Sequence, residues 1–274
     1  MTYLTLCRRL QEAGIENAEW EAKLLLEHFC GVPLASHPDV ERDYESPALE
    51  EALGKREARY PLQYLLGEWW FYRQSYLISP DCLIPRSDTE VLVERAIAEL
   101  PRGARFADFC TGSGCIAISV LCERPDTTAV AVDKFEATLS LAIQNAERNG
   151  VTDRFSSVCT DLLTEEPSIA SGSLDAILCN PPYIDRATLA GLAPELAHEP
   201  QAALDGGEDG LVFYRRILQA FPKYLREDGF FLFEIGFDQA EAVKEIGAAA
   251  GFGDCSVLRD LGGNTRALLL RRTV

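Results

Sequence analysis

Asn180-Pro181-Pro182-Tyr183 follows the apolar run DAILC and holds the residues best suited to chemistry in this chain. Proline lacks an N–H and has a fixed φ, so the carbonyls of Asn180 and Pro181 are kept out of a helix and can face a ligand. Asn180 adds a side-chain carbonyl, and Tyr183 adds a flat ring beside it. Two rigid acceptors next to a stacking face can hold a planar –NH2 group by both hydrogens while its nitrogen reacts. The same four residues also make an ordinary Asn-Pro turn after a strand. What separates the two readings is a glycine loop upstream.

That loop, Asp108-Phe109-Cys110-Thr111-Gly112-Ser113-Gly114-Cys115, follows an apolar strand and opens the helical run CIAISVLCE. Strand, glycine turn and helix in this order are the context in which a glycine motif binds a nucleotide-like ligand. Gly112 and Gly114 let the backbone approach closely, and the helix N-terminus favours a carboxylate. A second apolar strand ends in Asp133, where a carboxylate can accept both ribose hydroxyls. The third glycine of the dinucleotide pattern is missing. A ligand with an adenosine and no pyrophosphate fits, and S-adenosylmethionine is such a ligand. Asp108 has two readings, one toward the cofactor's amino group and one as a cap on nearby backbone N–H groups.

The elements that must position these residues alternate. Expected are helix 88–100, strand 105–110, helix 114–123, strand 128–133, helix 136–149, and strands 154–159 and 174–179. Helix 208–226, strand 229–235, helix 238–251 and two strands near 254–259 and 265–271 follow. This pattern predicts an α/β fold, a parallel sheet with helices on both faces. Such sheets bind ligands at the carboxyl ends of their strands. Cys110–Gly114, Asp133, Asp161 and Asn180 all fall at such ends.

Residues 1–60 read as short amphipathic helices. Leu4, Cys7 and Leu10 share one face, and Ala22, Leu25, Leu26 and Phe29 another before Gly31, a fitting C-terminal cap. Ser46-Pro47 reads as an N-cap with proline at the first helical position. Residues 61–88 are rich in aromatics and read as a hairpin connecting two domains. The expected division is a helical docking domain over 1–77, a connecting hairpin or linker over 78–88, and a catalytic domain over 89–274.

Across 274 residues the hydrophobic fraction is 47% and the charged fraction 25%, the balance of a globular protein. No apolar run reaches 18 residues, and MTYLTLCRRLQEAG lacks a signal-peptide core, so a cytoplasmic, monomeric protein with no membrane partner is expected. Nine cysteines without a CxxC pair argue against a disulfide framework or a metal site. The three histidines, His28, His37 and His198, lie far in sequence from Cys110 and Cys179, so these thiols read as packing groups. The net charge of −17 splits into −5 before residue 78 and −12 after it. Nucleic-acid affinity rests on Lys/Arg contacts to phosphate, and no basic block offers them. A negative field favours a sulfonium cofactor and a basic protein partner.

With DFCTGSG, AVD and NPPY joined by PLQYLLG, LIPRSDTEVLVE, EPQAALDGGEDGL and FEIGFDQ in order, nearly the whole chain resembles the peptide chain release factor N5-glutamine methyltransferases of the HemK-like family. The resemblance implies a Rossmann-like S-adenosylmethionine-dependent methyltransferase fold with a mostly parallel seven-stranded sheet behind a small N-terminal helical domain. It also implies methylation of the glutamine amide in the Gly-Gly-Gln motif of class 1 release factors. The cofactor-binding residues it implies are Cys110, Thr111, Gly112, Ser113, Gly114, Asp133, Leu162 and Asn180. Asn180, Pro181, Pro182 and Tyr183 would bind the substrate, with Asn180, Pro181 and Tyr183 catalytic. Cys110 stands where the family usually has glycine, and Leu162 where an aromatic residue is frequent.

An amide nitrogen is a poor nucleophile because its lone pair is delocalised. Acceptors at Asn180 Oδ1 and the Pro181 carbonyl would hold both N–H bonds and favour a pyramidal nitrogen, while Tyr183 presses on the amide plane. Orientation and electrostatics then carry an in-line displacement without a strong general base. The same chemistry would serve a glutamine of a ribosomal protein, or the N6 amino group of adenine in nucleic acid. Glu199 and Glu234 match family segments and read as braces for loops around the site, while Arg86 in LIPRSDTE reads as the partner of a carboxylate or as a substrate contact.

Overall fold

The structure, a computed structural model, describes residues 1–260 and 262–273; Leu261 and Val274, both within the expected catalytic domain, lie outside them. The chain forms two compact units, one of residues 1–68 with 193–198 and one of residues 69–192 with 199–274.

The first unit contains α1 (Tyr3–Glu12), α2 (Ala18–Cys30), α3 (Pro47–Glu57) and α4 (Leu62–Leu66). The Ser46 hydroxyl accepts from Leu49 N at 3.2 Å ahead of Pro47, and Gly31 closes α2 at φ +66°. Leu25, Leu26, Leu49 and Leu53 bury the inner faces. The α1 stripe is Leu6, Cys7 and Leu10, while Leu4 is 59% exposed. At about 100° per residue those three fall within an arc of about 100°, and Leu4 lies more than that from its centre. Arg56 is buried against Glu21 at 2.7 and 3.1 Å, and Glu195 of the second segment also accepts from it at 3.2 Å.

The second unit opens in a hairpin of β1 (Glu68–Phe71) and β2 (Gln74–Leu77), of which Glu68 alone falls in the first unit. The hairpin thus precedes 78–88, and the units divide at 68/69 rather than 77/78. Burial explains the shift. Tyr76 is fully buried in the second unit with its hydroxyl 2.7 Å from Ser119 Oγ, and the β2 residue Leu77 is held by Asn145.

Next come α5 (Glu90–Glu99), β3 (Arg105–Phe109), α6 (Cys115–Glu123), β4 (Thr128–Asp133), α7 (Glu136–Arg148), β5 (Phe155–Cys159) and β6 (Leu174–Cys179). After α8 (Arg186–Leu189) and α9 (Val212–Ala220) follow β7 (Leu225–Glu234), α10 (Ala240–Ala249), β8 (Asp254–Arg259) and β9 (Thr265–Arg271). Helix α9 is shorter than the expected 208–226 because Asp209 caps Leu211 N at its start and Pro222, with no N–H, begins a new turn beyond its end.

The seven strands run β5-β4-β3-β6-β7-β9-β8, parallel from β5 to β7, with β9 antiparallel to both β7 and β8. This is the mostly parallel seven-stranded sheet expected. Strand β6 is buried along its whole length, as a central parallel strand covered on both faces must be. Sequence order reverses between β3 and β6, and Phe109 pairs with Cys179 there. The residues just beyond that pair, Cys110 and Asn180, therefore leave adjacent strands at the topological switch point.

Candidate active site

The glycine loop leaves β3 through Cys110 at φ +58°, a left-handed backbone that costs a side-chain-bearing residue about 1–2 kcal/mol. Thr111 N donates to Val132 O at 3.1 Å and Gly112 N to Asp133 Oδ2 at 3.1 Å, which ties the loop to the end of β4. Asn145 of α7, fully buried, donates through Nδ2 to the Ser113 carbonyl at 2.9 Å and to the Leu77 carbonyl at 3.1 Å. Its Oδ1 accepts from Leu77 N at 2.6 Å, so one amide fastens both hairpin and loop.

A cavity of about 260 Å³ opens at the carboxyl ends of β3, β4 and β6. It brings together Cys110, Thr111, Gly112 and Ser113 with Asp133, Leu162, Asn180 and Pro182, all expected at the site. Gly114, Pro181 and Tyr183 do not line it. A Cβ on Gly114 would sit 2.9 Å from Ile118 Cδ1 and 3.2 Å from Ala142 Cβ, so this glycine serves helix packing. A Cβ on Gly112 would meet nothing within 4 Å, so this is the glycine that leaves room for a ligand.

Asp108 is wholly buried and also absent from the cavity wall. Its Oδ2 accepts from Thr111 Oγ1 at 2.7 Å and from Ala117 N at 3.2 Å, which is the capping reading. Burial pushes its carboxyl up to about 7. Asp133 Oδ1 accepts from Phe135 N at 3.2 Å, and burial raises this carboxyl too. The Cys179 and Cys115 thiols lie in the core and are raised by burial, which suits packing groups.

The Asn-Pro-Pro-Tyr turn is braced from three sides. Gln239 Nε2 donates to the Tyr183 carbonyl at 2.9 Å, Ile184 N to Leu204 O at 3.0 Å, and Gly206 N to Ile184 O at 2.9 Å. Cβ atoms at Gly206 and Gly210 would fall 2.7 Å from Tyr183 Cα and 2.4 Å from Tyr183 O, so the DGGEDGL segment lies flat beneath the turn. The Tyr183 hydroxyl donates to Glu234 Oε1 at 3.2 Å, and burial pushes the Glu234 carboxyl up to about 7. Arg86 pairs with Glu199, whose Oε2 accepts from Ile84 N at 3.0 Å. Both serve as braces, although Arg86 also borders the cavity.

Sequence reasoning did not select Thr89, Phe135, Asn145 or the glycines at 206 and 210. Phe135, two residues past the strand-ending Asp133, was findable by position; it is 44% exposed and lines the cavity beside Lys134. Asn145 carries no local signal, being one polar residue on an amphipathic helix.

Residues 87–230 match the family model described as "Methyltransferase small domain", and residues 5–67 match "PrmC N-terminal domain". The release factor glutamine methyltransferase of Geobacter sulfurreducens is 37% identical over 265 residues, covering 94% of this chain and 91% of its own. That of Cereibacter sphaeroides is 39% identical over 268 residues, covering 96% and 94%. A solved protein-(glutamine-N5) methyltransferase from Alicyclobacillus acidocaldarius is 31% identical and covers 73% of this chain and 100% of its own, with a TM-score of 0.42. Identity of 37% and 39% over 94% and 96% of the chain takes in the helical unit and the sheet alike, and on it the chain belongs to the release factor glutamine methyltransferase family.

Proposed function

We propose that the chain methylates the side-chain amide nitrogen of the glutamine in the Gly-Gly-Gln motif of class 1 peptide chain release factors, with S-adenosylmethionine as cofactor. The cofactor supplies an electrophilic methyl group on a sulfonium centre. The residues present fit it. Gly112 leaves open space at the loop, Asp133 offers carboxylate lone pairs for ribose hydroxyls, and Leu162, Phe135 and Phe213 give apolar walls for a base. In place of the aromatic residue frequent at position 162, Phe135 and Phe213 supply the rings.

The observation that carries the reading is the state of Asn180. Its Nδ2 donates to Thr89 Oγ1 at 3.4 Å, and no described residue donates to its Oδ1. An acceptor left unpaired at a cavity wall is suited to an incoming N–H. The second acceptor this reading requires is the carbonyl of Pro181, a buried residue of fixed φ set behind the cavity wall. With both N–H bonds held, the nitrogen lone pair is turned out of conjugation, and orientation supplies the rate without a base. Tyr183, fixed by Glu234, keeps the turn rigid. The helical unit, with Leu4 and Trp20 exposed, supplies docking area, and the charge of −17 favours a basic partner.

The test incubates the purified chain with methyl-labelled S-adenosylmethionine and, separately, a class 1 release factor, its Gly-Gly-Gln variant with glutamine replaced by alanine, ribosomal protein, and duplex DNA. Label should enter the intact release factor alone. Asn180→Ala should lower turnover by about 10²–10³ while cofactor affinity stays within a few-fold. Label on DNA or ribosomal protein in place of the release factor overturns the substrate, and wild-type turnover by Asn180→Ala overturns the acceptor role.

A further inference from the structure

We propose that Thr89 is a positioning residue for methyl transfer, which turns the Asn180 carboxamide so that Oδ1 faces the substrate and is itself set by the carboxylate of Glu234. The inference rests on the acceptor role of Asn180 given above. Thr89 lies in the LIPRSDTE segment, is 2% exposed, and borders the cavity. That segment is held from several sides: Thr89 N donates to Arg86 O at 3.0 Å, Asp88 pairs with Arg266 at 3.0 Å, and Glu90 Oε1 accepts from Tyr72 N at 2.8 Å.

A hydroxyl has one proton to donate and lone pairs to accept with. Asn180 Nδ2 donates to the Thr89 oxygen. The Thr89 hydroxyl also faces the Glu234 carboxylate and favours its charge. Glu234 Oε1 takes the Tyr183 hydroxyl, while Oε2 is buried with no partner in hydrogen-bonding geometry. In the arrangement proposed, the one Thr89 proton turns toward the Glu234 carboxylate, whose Oε2 has no other partner. This leaves Thr89 Oγ1 an acceptor only, on its Asn180 side. A flipped carboxamide would then set Oδ1 against an oxygen with no proton to give. In that arrangement, with Glu234 ionised, the donors run from Asn180 through Thr89 to Glu234, with Tyr183 donating from the other end, and only one orientation of Asn180 agrees with it. Arg266 supports the negative charge of Glu234 and Asp88 opposes it, while Tyr214 donates to the Glu234 backbone carbonyl at 2.8 Å and fixes the end of β7.

The experiment compares Thr89→Val, which keeps the shape and removes the hydroxyl, with Thr89→Ser, which restores it. For Thr89→Val, kcat for release factor methylation should fall about 10–100-fold, the range seen when an orienting partner of a site residue is lost. S-adenosylhomocysteine affinity should stay within about three-fold, and Thr89→Ser should recover most of the rate. In an Asn180→Ala background Thr89→Val should have no further effect, because its role passes through Asn180. A second readout needs no turnover: in protein labelled with ¹⁵N-asparagine, the Asn180 side-chain amide protons should exchange with solvent faster in Thr89→Val than in wild type. Wild-type kcat in Thr89→Val, an undiminished loss in the Asn180→Ala background, or unchanged amide exchange each overturns the proposal. Absence of release factor methylation by the wild type would instead overturn the substrate reading, and the exchange measurement would still decide the role of Thr89.

Discussion

Gly112 and Gly114 lie two residues apart in one loop, both at positive φ, +55° and +81°, yet they answer to different demands. Gly112 faces open space, while Gly114 presses on Ile118 and Ala142 where α6 and α7 meet. Gly112→Ala should therefore cost stability only the backbone term, about 1–2 kcal/mol, and show its main effect as weakened cofactor binding. Gly114→Ala adds overpacking of about 1–3 kcal/mol and should destabilise the fold by on the order of 2–5 kcal/mol. Denaturant unfolding of both variants beside calorimetric titration with S-adenosylhomocysteine checks the split, and equal losses of stability would refute it. Cys110, at φ +58°, shows that the loop keeps its left-handed geometry without glycine at that position.

At the scale of elements, the loop is as rigid as its anchor on α7. Asn145→Ala would leave the part-buried Leu77 N–H and the buried Ser113 carbonyl without the partner they now share. Each such group costs about 1–3 kcal/mol. The variant should lose on the order of 3 kcal/mol in unfolding experiments and bind cofactor more weakly although residue 145 is outside the cavity; unchanged affinity would separate the anchor from the site. The strands and helices around this anchor were readable in the sequence, because parallel strands buried on both faces leave apolar runs such as 128–133 and 174–179 that match the structure residue for residue. Asp133 and Asn180 could be placed at the cavity wall for the same reason, since strand ends mark the switch point. What could not be read lies in contacts distant along the chain: Asn145 with Leu77, Thr89 with Asn180, Gly210 with Tyr183. Aromatic density over 61–88 marks the hairpin but does not say which unit Tyr76 is buried in. A glycine pattern in the sequence does not separate Gly112, which faces open space, from Gly114, which packs two helices.

At the scale of the molecule, a chain of net charge −17 buries two carboxyls, Asp108 and Glu234, at the carboxyl ends of its central strands, both pushed up to about 7. Burial disfavours their charged forms, and each has one oxygen without a hydrogen-bond partner. The folded protein therefore holds protons that the unfolded chain, with ordinary carboxyls near 4, has already released. Where the native state binds more protons, stability falls as pH rises. The contribution is fully present below about pH 4 and lost as pH climbs through 7. Self-repulsion among the surface acids acts in the same direction. Opposing them, Asp161, Glu57 and Glu195 have lowered carboxyls beside basic partners, but these lose their contribution only on the acid side of ordinary carboxylate titration, below the window in question. Between pH 5 and pH 8 the buried pair, with the raised Asp133 carboxyl acting in the same direction, decides the slope. Each pKa unit is worth 1.36 kcal/mol at most, so the cofactor-free protein should lose on the order of 2–4 kcal/mol across that range. For a chain of this size that is a fall in Tm of several degrees, and a variant carrying Glu234→Gln should show a shallower fall. Thermal unfolding at constant ionic strength measures it directly, and a Tm that is flat or rises from pH 5 to pH 8 would show that the two carboxyls are already ionised in the folded protein.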